Sequence, residues 1–395
     1  MSRIFVTGMG VISALGNSVS ENREALKAGK CGITPMELID SRFAGKLPCG
    51  EIKLSTPELA RSLNAAQPGL TRTALLALHA FNQAVASAGL SPETLSYPST
   101  VFINGTTVGG MCLTDELYHD AEAKENGSEY LAAYDYASIA LYLQQKFSLS
   151  GLVNTVNTAC SSSANAIMLG ARLLQSGRAK RAIVGGVDCL AKFTINGFNA
   201  LHILSSDICQ PFDEARKGLN LGEGAAFLVL EKEEDSIDKE KLAELTGFFN
   251  TNDAYHPSSL SENGEGPFLA MQEALASANL RPADIDFINA HGTATENNDA
   301  VESKAMLRLF DSPPKFASTK SNIGHTLGAA GAIEAVFSIL NLQHQELYPS
   351  LNCENGIEST GLMPVVEYTQ QPLRHIMSNS FGFGGNCSSL IFSKV

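Results

Sequence analysis

Residues 153–179 read VNTVNTACSSSANAIMLGARLLQSGRA, and two structural periods follow one another in that stretch. Val153 and Val156 belong to a β-like run that stops at Thr158-Ala159-Cys160. Ala164, Ile167, Met168, Ala171 and Leu174 then recur at helical spacing, and Gly177 suits the helix end. Ser161, Ser162 and Ser163 suit the helix cap. The reading is strand, sharp turn, helix, with Cys160 on the turn.

Working outward, similar β-like runs recur at residues 3–7, 101–105, 181–188, 225–231, 286–293 and 388–395. Helical patterns lie between several of them. One spans 71–90, with Leu75, Leu78 and Ala86 on related turns and Gly89 as a stop; another spans 271–280. Strands alternating with helices predict an α/β fold. An echo divides it in two. Phe102-Ile103-Asn104 and Phe287-Ile288-Asn289 each follow a helical pattern, a leucine and a proline (Pro92, Pro282). Two related halves explain the echo, residues 1–238 and 239–395, and so does chance over so short a match. The charged run EKEEDSIDKEKLAEL (231–245) reads as a solvated connection between the halves.

With 44% hydrophobic and 17% charged residues, the chain of 395 has ample material for a buried core and is not a disordered one. Its net charge of −13 argues against a nucleic-acid partner, because phosphate binding needs a basic surface. No run of 18 apolar residues is present, so no membrane insertion is expected. The start MSRIFVTGMG has no signal-peptide pattern, and the eight cysteines form no C-x-x-C pair. The expected compartment is the cytoplasm, with neither a zinc site nor a disulfide framework.

Cys160 is the first chemical candidate. Unpaired backbone N–H groups at a helix start stabilise a thiolate and hold a developing oxyanion, the logic of a nucleophile elbow. A small buried core cysteine fits the same position. His291, in NAHGTATENND, and His325, in STKSNIGHTLGAAG, each stand at the end of a regular element beside glycine. Such positions hold a ring while leaving one face open, although single histidines in cores are common. Glu334 lies mid-helix among Ala332, Ile333, Ala335 and Val336. A buried carboxylate needs a partner, and Lys320 in the preceding loop is the nearest candidate; exposure of Glu334 to solvent is the alternative. In SNSFGFGGNCSS (378–389), Phe381 and Phe383 stand among glycines, fit either to close a pocket or to anchor a hairpin.

Together TACSSS, PFDEARKGLNLGEGAA, NAHGT, TKSNIGH, GAAG and FGFGG, in that order, resemble the β-ketoacyl-acyl-carrier-protein synthases of the thiolase superfamily, elongating type. The resemblance runs from VTGMGVISALGN (6–17) to SFGFGGN (380–386). It implies an αβαβα layered fold of two related halves, assembled as a homodimer or as a heterodimer with a related chain. It implies that Cys160 takes an acyl group from an acyl carrier protein. His291 and His325 would then promote decarboxylation of malonyl-carrier protein, giving a 3-oxoacyl product in fatty acid or polyketide-like synthesis. Lys320 would bond within the site with Glu334 as its support, and Asp299 and Glu302 would support the His291 loop. The backbone N–H groups of Cys160 and Phe383 would form the oxyanion hole, with Phe383 as gate. Val108, Phe198 and Phe381 would line the acyl pocket. No metal or organic cofactor is required for this chemistry.

Several positions depart from the family pattern: Glu296, Asn297, Asn220, Asn386-Cys387 and a shortened region at 111–150. These point to a specialised pathway. Two rival readings exist: a non-catalytic chain-length-factor-like partner subunit, which would have lost the nucleophile, and a thiolase. A thiolase would carry a late C-x-G motif, whereas Cys387 is followed by Ser388-Ser389.

Overall fold

Every residue of Ile4–Ser13 (β1) is buried, so this strand must be covered on both faces. In the computed structural model, which describes residues 2–65, 67, 69–125, 127–128 and 130–395, it lies in the middle of a ten-stranded sheet. The remaining strands are Thr100–Gly105 (β2), Val153–Val156 (β3), Arg181–Asp188 (β4), Gly224–Lys232 (β5), Ala243–Asn252 (β6), Phe287–Asn289 (β7), Lys315–Ala317 (β8), His375–Gly382 (β9) and Asn386–Ser393 (β10). Their order is β8-β7-β9-β10-β6-β1-β5-β4-β2-β3.

That order is one pattern used twice. In the first half β3–β2 and β2–β4 are parallel, while β4–β5 and β5–β1 are antiparallel. In the second half β8–β7 and β7–β9 are parallel, while β9–β10 and β10–β6 are antiparallel. Within the sheet the two patterns join where β1 pairs with β6, Phe5 opposite Glu244 and Val6 opposite Ala243. The Phe-Ile-Asn echo falls on β2 and β7, which occupy equivalent places in the two patterns.

The helices that matter here are Arg72–Ser87 (α1), Ser162–Gln175 (α2), Lys192–Ala200 (α3), Glu265–Ala278 (α4), Glu296–Leu309 (α5) and Ala330–His344 (α6). Helix α1 packs on β1 and β5, and α4 packs on β6 and β10. Between the two halves lie α2 and α6, packed on one another and touching strands of both. The layers are therefore helix, sheet, helix, sheet, helix. All of Ala330–Leu342 is buried, more than the stripe of Ile333, Val336, Phe337 and Leu340 alone. A helix enclosed between the two five-stranded halves of the sheet has no solvent side.

Three local expectations change. Ala86 is exposed, and Ala80 and Ala84 occupy the inner face of α1 instead. The β-like run 151–159 yields a strand of only four residues, because the chain turns at Thr158 into the elbow. The charged run is not wholly solvated. Glu231 is fully buried in β5, where it accepts from Thr7 Oγ1 at 2.6 Å, Arg181 Nε at 2.7 Å and Lys239 Nζ at 2.7 Å. Its flanking cations and hydroxyl satisfy a carboxylate that the strand register carries inward.

Candidate active site

Cys160 stands on the turn between β3 and α2, as the periodicity predicts. The preceding Ala159 is in the left-handed backbone region, φ 52°, a conformation that costs a residue with a Cβ about 1 kcal/mol. The three serines hold that turn, though not by capping. Ser161 begins the helix without a side-chain cap, and its Oγ instead lies 2.7 Å from Asn386 Oδ1 and 2.8 Å from Thr158 O, with one proton to donate between them. Ser162 Oγ donates to the Ala159 carbonyl at 2.6 Å and accepts from the Thr158 N–H at 2.9 Å. Ser163 Oγ accepts the Ala332 N–H at 2.9 Å, joining the starts of α2 and α6. Asn386, one of the family departures, accepts Ser161, Asn165 and Asn250 on a single oxygen and so ties β10 to the elbow.

The histidines come from the second half. His291 follows β7, and its N–H and that of Gly292 both donate to Glu302 on α5, each at 2.9 Å. Asp299, one turn earlier on α5, accepts the N–H groups of Ala294 at 3.1 Å and Phe212 at 2.8 Å. The two carboxylates thus clamp the loop on which His291 sits. His325 is fixed through its backbone, its N–H donating to Asn220 O at 2.8 Å and its carbonyl accepting from Gly222. The Asn220 side chain, another departure, secures the neighbouring loop through Cys209 N, Ser205 O and Asp207 O. The two imidazoles meet edge to face, centroids 5.4 Å apart at 85°.

Lys320 and Glu334 form a buried ion pair, and Lys320 Nζ also stands 3.3 Å from His291 Nδ1. An ammonium has only protons to offer, so Nδ1 is the acceptor and the His291 proton belongs on Nε2. His325 Nδ1 is buried with no partner among the described residues, which likewise favours a proton on Nε2. Burial, followed by the Lys320 charge, holds both imidazoles well below their ordinary range. Both are therefore neutral donors near pH 7. Burial pushes Glu334 and Glu302 up to about 7, against the pull of Lys320 on the first and of backbone N–H groups on the second.

For Cys160 the expected direction reverses. Burial pushes its thiol up to about 11, against the Lys320 charge and the backbone N–H groups of Phe383 and of Cys160 itself; Asp188 adds to the push. At 6% exposure, the loss of water outweighs what the amides and the lysine restore. Near neutral pH Cys160 is held as the thiol.

Cys160, His291 and His325 line one cavity of about 540 Å³, with Phe198, Phe381 and Phe383. Phe383 is half-buried and stacks on Phe198 of α3, centroids 5.8 Å apart at 12°, and Phe381 lies 5.7 Å from the His291 ring. Gly382 between them lets the loop reach the elbow, since a Cβ there would stand 2.7 Å from Thr158 O and 3.2 Å from Cys160 N. Val108 is placed elsewhere. It is buried in the core cluster against which Phe198 packs, its N–H on Asp188 at 2.8 Å, and it does not border the cavity.

Sequence reasoning missed Asp188. Its fully buried carboxylate gathers Thr106 Oγ1 at 2.7 Å, Thr107 N at 3.0 Å, Val108 N at 2.8 Å and Gly328 N at 2.7 Å, joining the β2 exit to the loop after His325. An aspartate closing the apolar run RAIVGGVD was the available signal. Also missed was the rim, formed by Arg216, Lys217 and Ser258–Leu260. Asn297 clips that rim by bonding both the N–H and the carbonyl of Leu260, at 2.8 and 3.1 Å. Among the described residues, no group of three or more His, Cys, Asp or Glu is arranged to hold a metal, and no helix is long and apolar enough to cross a membrane.

The comparisons with known proteins agree with this geometry. The family model for the β-ketoacyl synthase N-terminal domain matches residues 1–236, and that for the C-terminal domain matches 242–354. The chain belongs to the β-ketoacyl synthase family. A curated relative, 3-oxoacyl-[acyl-carrier-protein] synthase 2 of Coxiella burnetii, is 33% identical over 414 residues, covering 100% of this chain and 99% of the relative. Among solved structures, the ishigamide ketosynthase/chain length factor superposes with a TM-score of 0.93 at 29% identity, covering 100% of this chain and 99% of that one. A type II polyketide ketosynthase in complex with its acyl carrier protein, AntDE:AntF, superposes at 0.90 with 26% identity and full coverage of both chains. The thiolase-like layered fold expected of a β-ketoacyl synthase is the one observed.

Proposed function

We propose that this β-ketoacyl synthase carries out decarboxylative Claisen condensation between a Cys160-bound acyl chain and malonyl-acyl carrier protein, releasing 3-oxoacyl-acyl carrier protein. The observation that carries the proposal is that the thiol of Cys160 and the rings of His291 and His325, drawn from different halves of the chain, border the same cavity.

The thiol attacks the incoming thioester, and the carrier leaves as a thiol with the displaced proton, an exchange with little net energy change. Charge on the thioester oxygen during attack falls to the N–H groups of Cys160 and Phe383. Malonyl-carrier protein then loses CO₂, and its electron pair collects as an enolate. The Nε2–H groups of His291 and His325 are donors for that enolate oxygen, placed before the charge develops. The enolate carbon attacks the acyl group, and Cys160 departs and recovers a proton. Lys320 acts as a positioning residue on His291, supported by Glu334. Phe383 gates the acyl chain, and Phe198 and Phe381 line its path.

The partners we assign are an acyl carrier protein and a second synthase chain, identical or related, in the cytoplasm. Tyr136, Leu141 and Leu152 are exposed beside the edge strand β3, whose free side can pair. The halves 1–238 and 239–395 then supply the nucleophile and the decarboxylating pair respectively. Retention of Cys160 with both histidines and Lys320 favours this reading over a chain-length-factor-like subunit.

The test compares wild type with Cys160→Ala on malonyl-carrier protein. The variant should still release CO₂ but form no condensation product, and intact-mass analysis should show acyl groups on wild type alone. A wild-type chain inert in both assays, and unacylated, overturns the proposal in favour of the partner-subunit reading.

A further inference from the structure

The two imidazoles are held by different means. The His291 ring faces Lys320 Nζ, 3.3 Å from its Nδ1, and its loop is clamped by Glu302 and Asp299. The His325 ring has no partner at Nδ1 among the described residues, so its aim depends on the backbone that carries it. Asn220 and Gly222 fix that backbone at His325 itself. The chain then passes through Leu327, φ 52°, into the single turn Leu327–Ala329 that leads into α6. A leucine in the left-handed region costs about 1 kcal/mol and persists only where its surroundings hold it.

Asp188 supplies that hold. Its carboxylate closes β4, in the first half of the chain, and is fully buried. Oδ2 accepts the Gly328 N–H at 2.7 Å and Thr107 Oγ1 at 2.5 Å. Oδ1 accepts Thr106 Oγ1 at 2.7 Å and the Val108 N–H at 2.8 Å, and the Thr107 N–H is shared between both oxygens at 3.0 and 3.1 Å. Five donors thus take the place of water around one carboxylate. The approach leaves no room for a side chain, since a Cβ at Gly328 would stand 2.8 Å from Asp188 Oδ2 and 3.0 Å from Thr107 N. A carboxylate also suits the unpaired N–H groups at the start of a helical segment.

We propose that Asp188 is a positioning residue for His325 in decarboxylation, a buried anion of the first half that fixes the strained turn behind a ring of the second. This role rests on the part proposed above for His325 at the enolate oxygen. Asp188 does not border the cavity that holds Cys160, so it acts on the ring only through Gly328 and Leu327. His325 is thereby built from both halves: its side chain comes from one and the anchor of its loop from the other.

Two substitutions break the same bond from opposite ends. Asp188→Asn offers one accepting oxygen in place of two. Gly328→Ala leaves the carboxylate and its Thr106, Thr107 and Val108 donors in place but drives a methyl group against Oδ2. Gly328 is not in the left-handed region, so alanine there meets crowding and no backbone penalty. Gly328→Ala therefore keeps the question open to experiment even where Asp188→Asn does not fold.

The full-length protein and its variants are assayed for CO₂ release from malonyl-carrier protein and for acyl loading by intact mass, and their crystal structures are determined. In Gly328→Ala, kcat for CO₂ release should fall about 10²-fold while KM and acyl loading stay within about threefold of wild type. The double variant should release CO₂ no more slowly than the slower single one, because both act on one bond. The crystal structures should show the His325 ring displaced from His291 with the Cys160 elbow in place. An unmoved His325 ring in Gly328→Ala, equal loss of acyl loading and CO₂ release, or additive losses in the double variant overturns the assignment. Wild-type protein that releases no CO₂ overturns instead the function proposed for His325, and the ring positions in the crystal structures then decide by themselves whether Asp188 places it.

Discussion

Lys320 Nζ lies 3.3 Å from Nδ1 of His291 while its charge is balanced by Glu334 on α6. One ammonium therefore sets the tautomer of a ring from the β7 loop and neutralises a carboxylate in the central helical layer. Both partners are at least 98% removed from solvent, so the pair is poorly screened. The arrangement separates two roles that a single substitution would confuse.

Lys320→Met is expected to lower decarboxylation of malonyl-carrier protein by about 10²-fold, because His291 loses the donor that holds its proton on Nε2. It should also cost about 3 kcal/mol of stability by leaving Glu334 buried without its cation. The double variant Lys320→Met/Glu334→Leu should regain most of that stability while remaining as slow as the single one. Kinetics alongside thermal melts check this, and recovery of rate in the double variant would sink the positioning role.

The thiol of Cys160 should be slow to ionise. Its alkylation by iodoacetamide is expected to rise about tenfold per pH unit above neutrality with no plateau before pH 9, because a thiol held at about 11 has a small thiolate fraction throughout. The sign for stability follows. The native thiol keeps its proton where an unfolded one, at about 8.5, has lost it, so this contribution is full below about 8.5 and is lost as pH rises toward 11. Its size is about 1.4 kcal/mol per pH unit across that window, read as the difference between wild type and Cys160→Ala. A rate plateau near pH 7 would contradict it. Over the same neutral range the two imidazoles, already held neutral, should impose no step on the decarboxylation rate.

Glu302→Gln should damage decarboxylation more than acylation. The carboxylate accepts the N–H groups of both His291 and Gly292, and an amide offers only one oxygen for two donors. One buried N–H is left unmatched, at a cost of about 2 kcal/mol, on the loop that carries His291 and not on the one that carries Cys160. Acyl loading followed by intact mass should stay near the wild-type rate while CO₂ release falls. Equal loss of both would mean that the loop supports the whole cavity.

Gly331→Ala tests the seam between the halves. A Cβ at residue 331 would meet Ala164 N, Ala164 Cβ and Ser380 Oγ, each at 2.9 Å, where α6 crosses α2. Backbone cannot yield there as a long side chain would, so a loss of about 2 kcal/mol is expected, with a lower melting temperature. The Ser163-to-Ala332 bond should weaken with it, so acylation of Cys160 should slow as well. An unchanged melting temperature would show that the two helices slide freely.

Much of this molecule was legible in its residues. The alternation around Val153–Val156 and the helical spacing from Ala164 to Leu174 placed Cys160 on an elbow, because each period is a local property of the chain. The Phe-Ile-Asn echo, which chance could also have produced, falls on the equivalent strands β2 and β7, and Lys320 was the nearest partner for Glu334 if its carboxylate was buried rather than exposed, as it is. Other features were not local. The three serines looked like a cap and proved to be ties, Ser162 to Ala159 within the turn and Ser161 and Ser163 to Asn386 and Ala332, partners that exist only after the halves close. Glu231 looked solvated and is a buried node of Thr7, Arg181 and Lys239.

What the chain determined by itself was which residue types stand at which turns, since hydrophobic period and glycine placement are written residue by residue. What only the folded molecule decided was their chemistry. The direction of the Cys160 shift and the tautomer of His291 both depend on how much water packing removes and which distant groups it brings within reach. Desolvation and long-range contact are properties of the closed structure, and neither has a pattern along the sequence.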